Sequence, residues 1–286
     1  MSSAAKPRVA FQGAHGAFSE AAAVKLLGEN IELVPRPTFE SAFSAIDESA
    51  ADYILAPIEN SLAGSVHRSF DLLVESKLNI LGEVIIPIVH NLIAAPGTSF
   101  EDVAVVESHP VALAQCERFF MAHSRLKRIA TEDTAGSVRD VLRAGDRTRA
   151  AIASRHAAET YGGVILREHL EDNAENYTRF LLLSPSPVSP ENADKLSLVF
   201  ELDHRAGALF HALSPFAQRN VNMMKIESRP VHGRPWQYRF YLDLQASRTD
   251  PAVAAALEEL EKLVVNLRIL GCYPSAQGSS ATAKKS

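Results

Sequence analysis

Apolar and polar residues alternate along two stretches in the last third of the chain. In the first, Leu196, Leu198, Phe200 and Leu202 occupy every second position. The second runs from Trp236 to Leu244 with the same spacing. Because successive side chains of a strand point to opposite faces, each stretch predicts a strand with one buried face.

The segments around these strands complete a small domain. Apolar residues at helical spacing predict two helices, the first with Leu209, Leu213 and Phe216, the second with Leu257, Leu260 and Val264 after Pro251 in its first turn. Two further strands, Val221–Arg229 and Leu267–Tyr273, and a turn at His232–Pro235 are predicted from the same pattern. The order is βαββαβ, that of a ferredoxin-like half-sandwich.

Upstream, short apolar runs alternate with helical patterns, which is typical of an α/β fold. Arg8–Phe11 precedes a helix from Ser19, and Thr38 opens a second one. One helix face is predicted to hold Leu113, Cys116 and Phe120, and Asp133 or Thr134 is expected to cap a later helix. Further strands are predicted at Tyr53–Pro57, Val84–Ala95 in two pieces, Val103–Val106, Ala150–Ala153 and Thr178–Leu183.

A proline-rich segment, Ser184–Asp194, separates the two patterns. It has three prolines within six residues, which stiffen the backbone and remove amide donors. We therefore expect a linker between a catalytic region at 6–184 and an accessory domain at 195–273. The small, polar segment 274–286 is expected to be a flexible tail.

Composition narrows the classes of function. The chain of 286 residues has a formal charge of −5 with acidic and basic residues interspersed, which argues against nucleic acid as a partner. Cys116 and Cys272 are the two cysteines and lack metal-ligand spacing, so no metal is expected. We expect a cytoplasmic protein without membrane segments, since residues 1–8 lack the apolar run of a leader and Val84–Pro96 is interrupted by polar residues.

Polar and small residues follow the predicted strands of the catalytic region. In open α/β sheets, ligands bind beyond the carboxyl ends of strands, where helix amides attract anions. The residues at these positions are Gln12, Gly13, Gly16, Glu59, Asn60, Ser61, Gly64, Ser108, His109 and Ser154. They suit a cleft for a small carboxylate, although each alone is equally explained by a turn or a helix cap.

Other candidate chemistry is weak. No nucleophile elbow, Walker loop or dinucleotide fingerprint is present, which argues against hydrolase, kinase and dehydrogenase functions. His15, His67, His90 and His109 do not have zinc-site spacing, and we expect most of them to be structural or exposed.

Several segments together resemble prephenate dehydratases. In the catalytic region they are Gly13 to Ser19, Pro57 to Ser61 with Gly64 and Val66, Ser108 to Pro110, and Asn176 to Phe180, whose Thr-Arg-Phe trio is the family's signature. Ala14 and Ala17 depart from the first motif, where the family usually has proline and threonine. The resemblance implies an α/β catalytic region with two lobes like those of periplasmic binding proteins, and no metal or cofactor.

The resemblance also implies site residues. The catalytic set is Glu59, Asn60, Ser61, Thr178 and Arg179, and the substrate-binding set is Gly13, Gly16, Ser19, Ser108, His109, Ser154, Asn176 and Phe180. Arg179 is expected to pair with one carboxylate of prephenate, and Thr178 to donate a hydrogen bond to the departing hydroxyl. Because a threonine hydroxyl is a weak acid, a proton relay through Glu59, His109 or water is an open alternative to simple polarisation.

Regulation is implied by the C-terminal motifs. Gly207-Ala208-Leu209 and Glu227-Ser228-Arg229-Pro230 resemble the two phenylalanine-binding motifs of the ACT domain. L-phenylalanine is then expected to bind between copies of a homodimer or homotetramer and to inhibit the enzyme.

Two alternatives stay open at this stage. An arogenate dehydratase would perform the same elimination on the transaminated substrate. A binding protein without enzymatic activity would use the same two-lobed architecture. The short segment before Arg8 leads us to expect a monofunctional enzyme without a chorismate mutase segment.

Overall fold

Contacts along the chain divide the computed structural model, which describes residues 5–187 and 190–276, into two units. The first unit spans Met1–Ser76 and Val84–Leu181, and the second spans Lys77–Glu83 and Leu182–Ser286. The division falls inside two strands, so one part of each strand belongs to the first unit and the other part to the second.

The first unit alternates strands and helices as the apolar pattern predicts. Its elements in chain order are β1 (Arg8–Gln12), α1 (Phe18–Leu27), β2 (Glu32–Arg36), α2 (Phe39–Asp47), β3 (Tyr53–Asn60), β4 (Gly64–Ser65), α3 (His67–Glu75), β5 (Asn79–Pro87), β6 (Asn91–Ala94), β7 (Val105–Ser108), α4 (Pro110–Ala114), α5 (Glu117–Ala122), β8 (Lys127–Ala130), α6 (Thr134–Ala144), β9 (Arg149–Ala153), α7 (Arg155–Tyr161), β10 (Val164–Arg167) and β11 (Tyr177–Ser184).

These strands form two sheets. The first has the order β2-β1-β3-β11-β5, with β4 paired to β3, and β1 runs parallel to both of its neighbours. The second has the order β10-β6-β9-β7-β8, in which β7 is parallel to its neighbours and β6 is antiparallel to β9 and β10. Parallel neighbours bring the carboxyl ends of their strands to one edge, where the loops can build a site.

Local sequence explains where the helices begin. The Thr38 hydroxyl accepts the Ser41 amide and the Ser41 hydroxyl accepts the Thr38 amide, a reciprocal capping box that starts α2. Asp133 starts α6 by accepting the Gly136 amide at 2.6 Å. Of the two predicted caps for this helix, Asp133 is therefore the one that forms.

The second unit is an antiparallel sheet with two helices. Its elements are β12 (Lys195–Glu201), α8 (Ala208–Gln218), β13 (Asn222–Pro230), β14 (Tyr238–Gln245), α9 (Pro251–Glu261) and β15 (Val265–Tyr273), and the strand order is β13-β14-β12-β15. The apolar face of β12, with Leu196, Leu198 and Phe200, packs against residues of both helices. The predicted α/β class of the catalytic region and the βαββαβ order of this unit are confirmed.

The prediction of a half-exposed first strand in this unit is wrong. All seven residues of β12 are buried, including Lys195 and Glu201. The Lys195 ammonium lies 2.9 Å from the buried Glu83 carboxylate, and the Ser197 hydroxyl lies 2.7 Å from the Tyr273 hydroxyl. Polar residues alternate with apolar ones here because paired polar groups, rather than solvent, cover the second face.

The single helix face predicted for Leu113, Cys116 and Phe120 is also wrong. Two short helices, α4 and α5, replace one helix, and Cys116 stands at the break as the N-cap of α5. All three side chains are nevertheless buried in one core cluster. Burial disfavours the charged thiolate and raises the pKa of Cys116, so this thiol is unreactive.

The predicted linker and tail are only partly described. The linker lies between β11 and β12, and its residues 188 and 189 lie outside the described part of the chain. Of the predicted tail, residues 277–286 lie outside it as well. The Ser275 amide donates to the Asp194 carboxylate at 2.6 Å, so the chain is held to its own unit up to that residue.

Candidate active site

A cavity of about 410 Å³ opens in the first unit at the ends of strands from both sheets. Its walls are the ends of β1, β3 and β11 together with the beginnings of α1, α4 and α6. The predicted residues that line it are Gln12, Gly13, Ser19, Asn60, Gly64, His109, Thr178 and Phe180. Lining residues that were not predicted include His90, Gln115, Glu132 and Asp133. The prediction of a cleft at the strand ends thus corresponds to a cavity of this unit.

The Asn60 side chain is the centre of the polar contacts in this cavity. Its Oδ1 accepts the backbone amides of Leu62 at 3.1 Å and Ala63 at 2.8 Å. A backbone amide can only donate, so the other terminal atom of Asn60 must be the NH2 group. That group donates to Thr178 Oγ1 at 3.0 Å, to Asn176 Oδ1 at 2.7 Å and to a backbone carbonyl.

This arrangement fixes the direction of the Thr178 hydroxyl. Thr178 Oγ1 accepts a hydrogen bond from the Asn60 NH2 group, so the hydroxyl's own proton points away from Asn60. Thr178 is 8% exposed and lines the cavity. Its O–H is therefore a donor available to a bound ligand.

Two further side chains continue the polar network. Asn176 uses its Oδ1 to accept from Asn60, so its NH2 group donates to Gln115 Oε1 at 2.9 Å. The Gln115 NH2 group in turn faces Asn60 Oδ1 at 3.4 Å. Asn60, Asn176 and Gln115, which we call the amide network, are thus oriented by the backbone amides at Leu62 and Ala63.

Histidines occur at two places in the cavity wall. His109 is the N-cap of α4, where its Nδ1 accepts the Val111 amide at 3.2 Å. His90 is 2% exposed and its Nε2 lies 2.9 Å from Gln115 Oε1. Burial disfavours the charged imidazolium and lowers the pKa of both rings. His90 is thus buried and hydrogen-bonded in the cavity wall, a position that no local sequence pattern indicated.

The electrostatic character of the cavity comes from helix ends and carboxylates. α1 begins at Phe18 with no side-chain cap, so no side chain satisfies its first backbone amides. Phe18 and Ser19, in this first turn, line the cavity. Among the described lining residues, Glu132 and Asp133 are acidic, whereas no lysine or arginine is present. Anion binding here would rest on backbone amides and neutral donors.

Several predicted residues lie behind the cavity wall. The Ser61 hydroxyl donates to the Glu175 carbonyl and accepts the Tyr177 amide, each at 2.9 Å, which joins the end of β3 to the start of β11. The Ser108 hydroxyl donates to the Ile152 carbonyl at 2.6 Å. These hydroxyls hold the loops and are not among the lining residues.

Gly16 and Ser154 join the first loop to the second sheet's helix α7. Ser154 caps α7 and donates to the Gly16 carbonyl at 2.9 Å. Gly16 has a φ of +81°, and a Cβ there would lie 2.7 Å from the Ala157 Cα. The glycine is therefore required both by its backbone conformation and by close approach.

Two predicted catalytic residues, Glu59 and Arg179, do not line the cavity. Arg179 stands between Thr178 and Phe180 on β11, and these two neighbours do line it. Alternate side chains of a strand point to opposite faces, so Arg179 points away from the cavity side. Glu59 pairs in register with Ser65 of β4 next to Asn60.

The residues predicted to bind an effector lie at two places in the second unit. Gly207 has a left-handed φ of +78° and is the N-cap of α8, with Ala208 and Leu209 in the first turn. Glu227, Ser228, Arg229 and Pro230 end the edge strand β13. The adjoining hairpin is anchored because the buried Glu201 carboxylate accepts from Arg234 at 2.6 Å and from Arg239 at 2.8 Å.

Metal and membrane features were sought in the described residues. Within 5–187 and 190–276, no three His, Cys, Asp or Glu side chains are grouped to hold a metal ion. No helix in this part of the chain has the length and apolar character that a membrane span requires.

Comparisons with known proteins cover both units of the chain. A family model for prephenate dehydratase matches residues 9–188, and a model for the ACT domain matches residues 196–262. An Arabidopsis thaliana protein named arogenate dehydratase/prephenate dehydratase 2, chloroplastic, is 42% identical over 285 residues, covering 96% of this chain and 74% of the relative.

Two solved structures are similar along nearly their full length. The prephenate dehydratase from Arthrobacter aurescens in complex with L-Phe has a TM-score of 0.88 and 31% identity, and the match covers 97% of each chain. GqqA, described as a novel type of quorum quenching acylase, has a TM-score of 0.86 and 34% identity over 94% of this chain and 98% of its own.

Proposed function

The chain belongs to the prephenate dehydratase family and carries a C-terminal ACT domain, and on this premise we propose that it converts prephenate to phenylpyruvate, carbon dioxide and water. The observation that carries the proposal is the Thr178 hydroxyl, which lines the cavity with its proton directed away from Asn60. Loss of carbon dioxide and hydroxide makes the substrate ring aromatic. The protein must therefore orient the substrate and stabilise the departing hydroxyl.

Thr178 is placed to polarise the leaving group. As hydroxide departs, its oxygen gains negative charge, and a fixed O–H donor stabilises that charge more than it stabilises the ground state. Asn60 contributes because its hydrogen bond at 3.0 Å polarises the Thr178 hydroxyl and prevents it from turning inward.

The amide network argues against a proton relay from the protein side. Behind Thr178 stand Asn60 and then Asn176 and Gln115, and neutral amides donate hydrogen bonds without passing on protons. The proton that converts hydroxide to water must then come from the cavity side. We propose solvent as the source, because His109, although it lines the cavity, accepts the Val111 amide at Nδ1 and is a neutral ring without a readily released proton.

Carboxylate binding falls to backbone donors in this proposal. The uncapped start of α1 at Phe18 lies in the cavity wall, and the helix dipole favours a negative charge there. The Gly13 amide is not available, because it donates to the Arg36 carbonyl at 2.8 Å. Arg179 lies on the other face of β11, so it would not contact the substrate directly. It would support carboxylate binding by holding the neighbouring backbone or through its positive charge.

Arogenate is the second candidate substrate, favoured by one feature of the cavity. Arogenate carries an ammonium group where prephenate has a ketone, and the carboxylates of Glu132 and Asp133 lie in the wall without a lysine or arginine among the described lining residues. Asp133 already accepts the Gly136 amide, so Glu132 is the stronger candidate partner for the ammonium group.

The deciding experiment offers purified protein prephenate and arogenate in separate reactions. Chromatography of the products distinguishes phenylpyruvate from phenylalanine, and kcat/KM for each substrate gives the preference. Turnover of neither substrate would refute the proposed function.

We further propose that L-phenylalanine binds the ACT domain and inhibits the enzyme, with two or four copies assembled. Gly207 at the start of α8 and Ser228 on the edge strand β13 are the proposed contacts. β13 also exposes Met223 and Ile226, apolar surface that a second copy would cover. Sedimentation with and without L-phenylalanine tests the assembly, and Ser228→Ala should weaken inhibition while uninhibited kcat stays within about twofold.

A further inference from the structure

One buried polar atom beside the amide network has no role in the proposed chemistry so far. The His90 ring is 2% exposed, and its Nδ1 has no hydrogen-bond partner within residues 5–187 and 190–276. The other ring nitrogen, Nε2, lies 2.9 Å from Gln115 Oε1. A buried histidine with one satisfied and one unsatisfied nitrogen calls for an explanation.

The amide network determines which ring nitrogen carries the proton. Asn176 donates to Gln115 Oε1 because its own Oδ1 accepts from Asn60. Gln115 therefore presents an oxygen, which can only accept, to both Asn176 and His90. The proton of His90 must lie on Nε2, and Nδ1 then carries a bare lone pair.

The surroundings of the ring favour this neutral form. Protonation of Nδ1 would bury a positive charge without an acceptor for its new N–H, and burial is the main cause of the lowered His90 pKa. The facing charged group is Glu171, which accepts the His90 backbone amide at 2.8 Å and only partly offsets this effect. The Phe18 ring covers another side, edge-on at 5.9 Å.

We propose that His90 is a positioning residue for the dehydration, a role that rests on the proposed function. Its neutral Nε2–H ring holds the Gln115 amide in the single orientation that lets Gln115 support Asn60, and Asn60 in turn directs the Thr178 proton into the cavity. His90 itself exchanges no proton with the substrate.

The longest contact of the amide network, between Gln115 and Asn60, explains why His90 is needed. Gln115 Nε2 and Asn60 Oδ1 are 3.4 Å apart, longer than the other bonds of the network. Without the His90 donor, Gln115 keeps one strong partner, Asn176, and can turn about it. Asn60 Oδ1 then loses the Gln115 donor and keeps the Leu62 and Ala63 amides, so the Asn60 NH2 group is held less firmly against Thr178 Oγ1.

The kinetic test compares two replacements. His90→Leu removes the donor, and His90→Gln places an amide NH2 near the position of Nε2. We expect His90→Leu to lower kcat about tenfold with KM changed less than about twofold, since the lost hydrogen bond positions the Thr178 hydroxyl and does not bind the substrate. His90→Gln should recover at least about one third of the wild-type kcat. His123→Leu is the matched control, because that ring bonds the Phe119 carbonyl away from the cavity.

A double-mutant cycle separates positioning from general damage. If His90 acts through Thr178, adding His90→Leu to Thr178→Val should change kcat less than about twofold. The full tenfold loss in both backgrounds would overturn the proposal. So would equal kcat for the leucine and glutamine variants, both tenfold below wild type.

A second measurement does not depend on turnover. In protein labelled with ¹⁵N-histidine, NMR at neutral pH should show a histidine signal that His90→Gln removes, and that signal should report a protonated Nε2 and a bare Nδ1. A protonated Nδ1 at His90 would overturn the proposal even in an active enzyme. Absence of wild-type turnover with both substrates would refute the proposed function instead, while the ring state is read independently.

Discussion

Replacing Thr178 with valine removes one hydroxyl from the cavity and keeps the branched shape of the side chain. The lost donor would otherwise stabilise the departing hydroxide. Removing one such preorganised donor costs about 10²- to 10³-fold in kcat, or about 3–4 kcal/mol of transition-state stabilisation. We expect kcat to fall in that range, with KM changed less than about threefold because the carboxylate contacts are elsewhere.

The effect of this substitution on folding should be far smaller. The Asn60 NH2 group loses Thr178 Oγ1 but keeps Asn176 Oδ1 and the Tyr177 carbonyl. The cost in the free energy of unfolding is then about 1 kcal/mol, measurable by urea denaturation. Thr178→Ala should reproduce the loss of kcat, whereas Thr178→Ser, which keeps the hydroxyl, should retain part of the rate.

The chain contains a matched control for this experiment. Thr98 is 7% exposed, and its Oγ1 has no hydrogen-bond partner among the described residues. Thr98→Val makes the same chemical change outside the cavity and should leave kcat unchanged while unfolding free energy stays equal or rises by about 1 kcal/mol. Equal losses of kcat in the serine and valine variants of Thr178 would refute the reasoning, because the hydroxyl would then be irrelevant.

Three other changes test separate parts of the structure. Gly16→Ala should lower the free energy of unfolding by about 2 kcal/mol, measured by urea denaturation, because its Cβ would lie 2.7 Å from the Ala157 Cα at a positive φ; an unchanged midpoint would contradict this close approach. Burial lowers the pKa of His90 and His109 below the value in the unfolded chain, so the unfolded chain binds more protons on acidification. The contribution of these two rings to stability should therefore be complete above about pH 6.5 and should be lost as the pH falls below that value. Thermal unfolding from pH 8 to 5 checks this sign, and a rise in Tm on acidification would oppose it. Gly207→Ala, strained at a φ of +78°, should raise the L-phenylalanine concentration for half inhibition at least tenfold without lowering the uninhibited rate, and an unchanged inhibition curve would remove Gly207 from the effector site.

Much of the architecture could be predicted because it depends on short-range pattern. Inner strands such as β9 are continuous apolar runs, and α2 and α6 begin at residues whose side chains cap them. Two edge strands of the first unit, β2 and β8, were not predicted for the opposite reason. β8 has every residue exposed, so it lacks an apolar signature, and β2 contains Pro35, which argues against a strand in sequence.

The site shows the same division. Asn60, His109 and Thr178 could be named because they follow strands or match a family motif. Gln115 and His90 could not, since each becomes part of the site only through contacts with residues 25 or more positions away. Periodicity records which face of an element is buried, whereas the partner of a buried amide is set by the tertiary fold.

The amide network also affects how fast the protein would be inactivated by deamidation of Asn60. Conversion of Asn60 to aspartate by deamidation would replace its NH2 donor with an acceptor and turn the Thr178 proton inward, silencing the enzyme while leaving it folded. Deamidation requires the following backbone nitrogen to attack the side-chain carbonyl. Here that nitrogen belongs to Ser61, whose amide donates to the Tyr177 carbonyl at 2.8 Å. The hydrogen bond that joins the end of β3 to the start of β11 therefore also slows the deamidation of the amide that directs the Thr178 hydroxyl.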